Sequence, residues 1–175
     1  MEEAKSVTTS SAGIRYGLFY GLVSIALFII MSITGMDMQS GLVRVLSSAV
    51  FIAFIYLAHK YFKDEGNGFM SYGQGVGIGL FLSLVGGVIS SVFTFIYIKF
   101  IDDSMMQQIM DKARYDMEER GMSDEQIDQA MEFSAMFMSP MAMLIFGIVG
   151  AVFIGLILSL IVSIFTQKKD TSFGM

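Results

Sequence analysis

Apolar residues run almost unbroken through four stretches, Ile14 to Ile33, Val43 to Phe62, Gly73 to Phe100 and Met141 to Phe165, and polar residues collect between them. A helix of about 20 residues crosses about 30 Å of hydrocarbon, so each stretch predicts a transmembrane helix. The polar block at 102–139 has a different rhythm. Met106, Ile109, Ala113 and Met117 recur at three- and four-residue steps, Gly121 interrupts, and Ile127, Ala130, Met131, Ser134 and Met138 resume a weaker version of the pattern. Two amphipathic helices joined at Gly121 are expected there. The fold class is therefore an all-α membrane protein. Four transmembrane helices form a bundle, with an extracytoplasmic amphipathic helical hairpin between spans three and four, in a single integral membrane domain over residues 1–175.

Local signals refine the hairpin. Ser123 reads as an N-cap and Gln126, three residues on, completes a capping box; Asp124 and Glu125 favour the positive end of the helix dipole, and Met122 with Ile127 forms a staple. Pro140 marks the boundary before the fourth span, because proline disfavours helix in the residue that precedes it. The first insert helix has two readings. It continues the third span as a stalk, or Asp102, Asp103 and Ser104 cap a separate helix.

Small residues recur at every fourth position in three spans. The third has Gly75, Gly79, Ser83, Gly87 and Ser91, the fourth has Gly147, Ala151, Gly155, Ser159 and Ser163, and the first has Gly13, Gly17 and Gly21. On a helix this spacing leaves one groove free of bulky side chains, so two backbones can approach and gain dispersion contacts. Spans three and four are expected to pack groove to groove. A homo-oligomer interface or a ligand-lined crevice is the competing use of the same stripes, and Gly73, Gly77 and Gly86 leave room for a kink in span three.

Composition agrees with the pattern. The chain is 54% apolar and 15% charged, with the charges bunched between spans. Ten of the sixteen carboxylates lie between Asp102 and Glu132, which argues against nucleic acid as a partner. Lys5, Arg15, Lys60, Lys63, Lys168 and Lys169 fall on one side of the membrane near the spans, whereas Arg44 and Lys99 sit at span ends on the other. Cytoplasmic flanks are enriched in such residues, so both termini are expected in the cytoplasm. Tyr16, Tyr20, Tyr56, Tyr61 and Tyr72 fall near the same interface, with Tyr97 opposite. The first apolar run is too long for a cleaved signal peptide, whose core is usually about 7–15 residues.

Candidate chemistry is sparse. Without cysteine there is no disulfide, thiolate metal site or cysteine nucleophile. Ten of the sixteen methionines lie between Met105 and Met143, including the pairs Met105 with Met106, Met136 with Met138 and Met141 with Met143. Thioethers suit Cu(I), but methionine is also a pliable packing residue, so no metal site is assigned. His59, the only histidine, sits beside Lys60 and reads as an interfacial residue. Arg44 and Lys99 can snorkel to the outer interface and pair with Asp37, Asp102 or Asp103. No His-Glu-x-x-His motif, Gly-x-Ser-x-Gly elbow or phosphate loop is present. No catalytic residue, cofactor or metal is expected.

Tyr16-Gly17 followed by Gly21, the basic exit at Lys60 and Lys63, the run Gly68-Phe69-Met70-Ser71-Tyr72-Gly73-Gln74-Gly75 into span three, and a long polar insert before Pro140 resemble an uncharacterised bacterial family, domain of unknown function 4199. The resemblance implies a four-span protein of the bacterial inner membrane, and it transfers no chemistry. Spans one and three both begin Tyr-Gly and spans two and four both exit through lysine pairs, an echo that duplication or chance explains equally. The reading is a non-enzymatic membrane scaffold or interaction protein. Its lipid-embedded bundle presents the 102–139 insert to a protein partner, to lipid headgroups or to a second copy. The alternative is a small transporter or channel subunit with a path beside the third span, which requires Ser83, Ser90, Ser91, Thr94, Ser159 and Ser163 to line a wet space.

Overall fold

The computed structural model describes residues 7–38, 40–102, 104–137 and 139–169. Lys5, Asp103, Met138 and the side chain of Met136, all invoked above, lie outside the described residues. Six helices follow in order: α1 (Thr9–Thr34), α2 (Gly41–Asp64), α3 (Tyr72–Phe100), α4 (Ser104–Glu119), α5 (Asp124–Phe137) and α6 (Pro140–Thr166). No strand occurs among the described residues; one isolated bridge joins Met70 and Lys168. Helices α1, α2, α3 and α6 are long and apolar enough to cross a membrane, and the chain is read as spanning it with these four.

Short polar side chains set the helix starts. Thr8 and Ser11 exchange bonds at the head of α1, each backbone N–H donating to the other's hydroxyl at 3.1 Å. At the head of α3 the Ser71 N–H donates to Gln74 Oε1 at 2.8 Å and the Gln74 N–H to Ser71 Oγ at 3.2 Å. Ser40 caps α2 and Ser139 caps α6. These bonds satisfy amide donors that the first helical turn leaves unpaired. α1 ends in a left-handed Gly35 at φ 65°, a conformation that costs glycine little because it has no Cβ.

The two readings of the insert's first helix are resolved. α3 stops at Phe100, and the Asp102 carboxylate accepts from the Ser104 backbone N–H at 3.1 Å and from its hydroxyl at 2.6 Å. α4 is thus a separately capped helix.

The chain divides into two compact units with boundaries at Ser90/Ser91 and Gly147/Ile148. The first holds α1, α2, the α3 residues through Ser90 and the α6 residues from Ile148, packed around Ala12, Phe51, Ile55, Ala58, Phe62, Met70, Ile78 and Leu82. The second holds the rest of α3, then α4, α5 and the start of α6. In the first unit Ala58 and Ile55 are fully buried, while Leu22, Val45 and Phe153 are more than 60% exposed. Apolar surface on that scale costs free energy in water, at roughly 25 cal/mol per Å2, and costs nothing against acyl chains.

Candidate functional site

In the first unit, the small residues of α3 and α6 face one another rung by rung. A Cβ built on Gly75 would come within 2.6 Å of Ser163 Oγ, one on Gly79 would collide with Ser159, one on Gly155 with Ser83, and one on Gly87 would sit 2.7 Å from the Ala151 Cβ. Each rung pairs a residue four further along α3 with one four earlier on α6, as antiparallel helices require. In the second unit a Cβ on Gly147 would come within 2.6 Å of Ser91 Oγ. One partner of each rung is glycine, so the other can carry a hydroxyl or methyl group without forcing the backbones apart.

The first-span stripe also faces α3, along a different line. Cβ atoms on Gly13, Gly17 and Gly21 would come within 2.9 Å of Phe81, Leu82, Val85 or Ile89. α3 therefore lies between α1 and α6, and is the most buried of the four apolar helices.

His59 is the polar centre of the first unit. The sequence places it at the interface beside Lys60, but its side chain is fully buried. Nε2 donates to the Gly75 carbonyl at 2.9 Å, and Nδ1 shares a 2.8 Å hydrogen bond with the Thr166 hydroxyl. A carbonyl only accepts, so the Nε2–H is fixed by its partner. Ser159 Oγ donates to the same Gly75 carbonyl at 3.2 Å, the Thr166 hydroxyl also reaches Val162 O at 2.9 Å, and Lys63 Nζ donates to Thr166 O at 3.0 Å. One imidazole thereby ties α2 to α3 and α6. Ser163 Oγ, one turn from Ser159 and Thr166, is buried and has no hydrogen-bond partner among the described residues.

A readable signal for this inward placement exists. Phe51, Ile55, Ala58, His59 and Phe62 are all buried, and their spacing of three and four residues puts them on one helical face. The polar partner Thr166 lies 107 residues away, and no local pattern announces it.

Basic residues gather near this node. Arg15 donates to Tyr61 Oη at 2.8 Å and lies over its ring at 4.6 Å, with Tyr16 packed on Tyr61 at 5.6 Å. Lys168 bridges to Met70 through paired backbone bonds of 2.8 and 2.9 Å and reaches over Phe69. Tyr20 departs from the interfacial expectation. It packs on Phe51 and Phe54 at 4.7 and 5.7 Å, and Gly86 leaves room for its ring.

Two crevices of about 290 and 190 Å3 share Tyr20, Ser47 and Ser90. The larger reaches Met31 and Met38 beside the α1–α2 turn, and the smaller reaches Ser83 and Leu158. Ser83 and Ser90 donate back into α3, to Leu80 O and Gly86 O at 2.9 Å each. No charged side chain is among the described residues that line either crevice. Of the six hydroxyls a transport path requires, Ser90 lines both crevices and Ser83 the smaller. Ser83, Ser159 and Ser163 are fully buried, Ser91 packs at Gly147, and Thr94 is half-buried.

The second unit holds the helical hairpin. α4 and α5 pack on each other, with Ile127 fully buried and Gly121 supplying the turn at φ 76°. Ser123 and Gln126 form the expected reciprocal cap, at 3.0 and 3.4 Å. Arg114 ties the helices by an exposed bond to Asp128 at 3.1 Å. Lys99 has its Nζ over the rings of Phe95 and Phe100 at 5.5 Å each; Asp103, one of the carboxylates it can pair with, lies outside the described residues. No group of three or more metal-ligating His, Cys, Asp or Glu side chains occurs among the described residues.

A protein-family model described as a protein of unknown function (DUF4199) matches residues 15–168. No curated protein and no solved structure matches the chain.

Proposed function

The chain belongs to the DUF4199 family of proteins of unknown function, and from that premise we propose that it is a non-enzymatic multi-pass membrane protein acting as a scaffold or interaction module. Its four spans anchor it in a bacterial inner membrane with both termini in the cytoplasm, and the α4–α5 hairpin is its extracytoplasmic contact element. The observation that carries this reading is the hairpin itself. It is a capped, mutually packed helix pair with a buried Ile127, and it presents the exposed charges Asp111, Arg114, Glu118, Asp128 and Glu132. The small residues of the α1, α3 and α6 stripes, by contrast, are occupied with helix–helix contact. Orientation is supported by Arg15, Lys63 and Lys168, which make their contacts near one another at the ends of α1, α2 and α6.

Deleting 103–139 tests the reading. Membrane insertion should persist and crosslinked partners of the full chain should be lost; an unchanged set of partners contradicts it. A transporter or channel subunit is the second reading, favoured by the shared Tyr20, Ser47 and Ser90 lining of the two crevices.

A further inference from the structure

Within the second unit, aromatic rings run from the hairpin onto a membrane-crossing helix. Phe133 packs on Phe137, one turn further along α5, with ring centroids 5.1 Å apart, and Phe137 packs on Phe146 of α6 at 5.7 Å. All three rings are exposed, at 64%, 45% and 53%. The amphipathic pattern of α5 accounts for the burial of Ile127, and leaves this ridge unaccounted for.

The depth of Phe146 decides what covers the ridge. α6 has 27 residues, which at 1.5 Å per residue is about 40 Å of helix. The hydrocarbon layer is about 30 Å thick, so an upright α6 centred on it projects about 5 Å at each end. Phe146 is the seventh residue of α6, about 9 Å along its axis, and that centring puts it inside the acyl region by several ångströms. Phe137, in ring contact with it, then falls at the hydrocarbon boundary. At about 100° per residue, Glu132 lies about 100° and Asp128 about 140° around α5 from Phe133, so the acidic flank turns toward water when the aromatic ridge turns toward lipid.

We propose that Phe133 and Phe137 form an interfacial anchor that seats the C-terminal half of α5 in the boundary between headgroups and acyl chains, continuous with Phe146 at the start of α6. The occupant of this face is the bilayer, because the ridge joins a ring at acyl depth on α6, and the apolar face of an interfacial amphipathic helix, phenylalanine included, inserts at the boundary between headgroups and acyl chains. This inference rests on the membrane reading above and narrows it, since it leaves the charged flank of the hairpin, away from the rings, for a protein partner.

The chain contains no tryptophan, so single substitutions report without background. Phe133→Trp and Phe137→Trp, each in the full-length protein in phosphatidylcholine vesicles, should give blue-shifted emission. They should lose most of their fluorescence to lipids brominated high on the acyl chain, and little to aqueous iodide. Glu125→Trp, on the exposed acidic flank, should show the reverse and confirms that the probe distinguishes the two environments. Efficient iodide quenching of the Phe133→Trp and Phe137→Trp variants would overturn the anchor. Blue-shifted emission insensitive to both quenchers would also overturn it, by showing that protein or a second copy covers the ridge. Neither result bears on partner capture by the charged flank, which the deletion experiment reads separately.

Discussion

His59 and Gly75 are joined by a 2.9 Å hydrogen bond from the imidazole Nε2 to the backbone carbonyl, across the contact between α2 and α3. The same ring meets Thr166 on α6, so its removal takes one hydrogen bond from each of two neighbouring helices, while the Gly75 carbonyl keeps Ser159 and the Thr166 hydroxyl keeps Val162 O. A hydrogen bond of this kind contributes about 0.5–1.5 kcal/mol. His59→Leu is therefore expected to destabilise the protein by that order and lower its thermal midpoint in detergent. Ser159→Ala, which leaves the Gly75 carbonyl its imidazole partner, should cost less. Equal stability of His59→Leu and the wild type would show that the node contributes nothing.

The Gly79–Ser159 rung offers an exchange test. Gly79→Ser adds a second side chain where a Cβ already collides with Ser159, and overpacking of this kind typically costs about 1–3 kcal/mol. Adding Ser159→Gly restores one small side chain to the rung and should recover most of the loss in chemical or thermal denaturation. Gly150→Ala serves as the comparison, since a Cβ there meets nothing within 4 Å, and it should be close to neutral. Failure of the double variant to recover would contradict direct packing at this rung.

The crevices lead to a prediction about water. A cysteine replacing Ser47, which lines both, should react with a small polar thiol reagent, because the larger crevice reaches the α1–α2 turn at Met38. A cysteine replacing Ser159, fully buried against α3, should react from neither side. Modification of Ser159→Cys in the folded protein would favour the transporter reading over the scaffold.

At the start of α5, Ser123→Ala removes the hydroxyl that accepts from the Gln126 amide. Loss of such a cap costs about 1 kcal/mol. Amide exchange in α5 should accelerate about fivefold, the low end of the range that one to two kcal/mol produces in a folding equilibrium. Exchange in α1 and α2 should be unchanged. Asp128→Ala, which breaks only the exposed contact with Arg114, should have a smaller effect, because surface pairs contribute about 0–1 kcal/mol.

The helices were legible because their causes are local. Apolar length places α1, α2, α3 and α6 within a few residues of the expected spans, and Ser123 with Gln126 marks the start of α5. The small-residue stripes are local as well, and the rungs from Gly75–Ser163 to Gly87–Ala151 follow the spacing visible in the chain. What escapes such a reading is long-range. Nothing near His59 indicates that Thr166 and the Gly75 carbonyl would enclose it, although its place on the face of Phe51, Ile55 and Phe62 points inward. Tyr20 lies in a packed aromatic cluster and not at the interface, a choice its sequence neighbourhood leaves open because an amphipathic ring suits both settings. Asp102 could end one helix or begin another, and only its bonds to Ser104 distinguish the two.

Sidedness is the claim on which the scaffold reading turns, and the cysteine-free chain makes it directly measurable. Single cysteines at Gln107, exposed on α4, and at Glu65, exposed at the end of α2, should be probed with a membrane-impermeant maleimide in intact spheroplasts. The expected result is labelling of Gln107→Cys in intact cells and of Glu65→Cys only after permeabilisation. Labelling of Glu65→Cys in intact cells, with Gln107→Cys protected, would place the hairpin in the cytoplasm and contradict the proposed function.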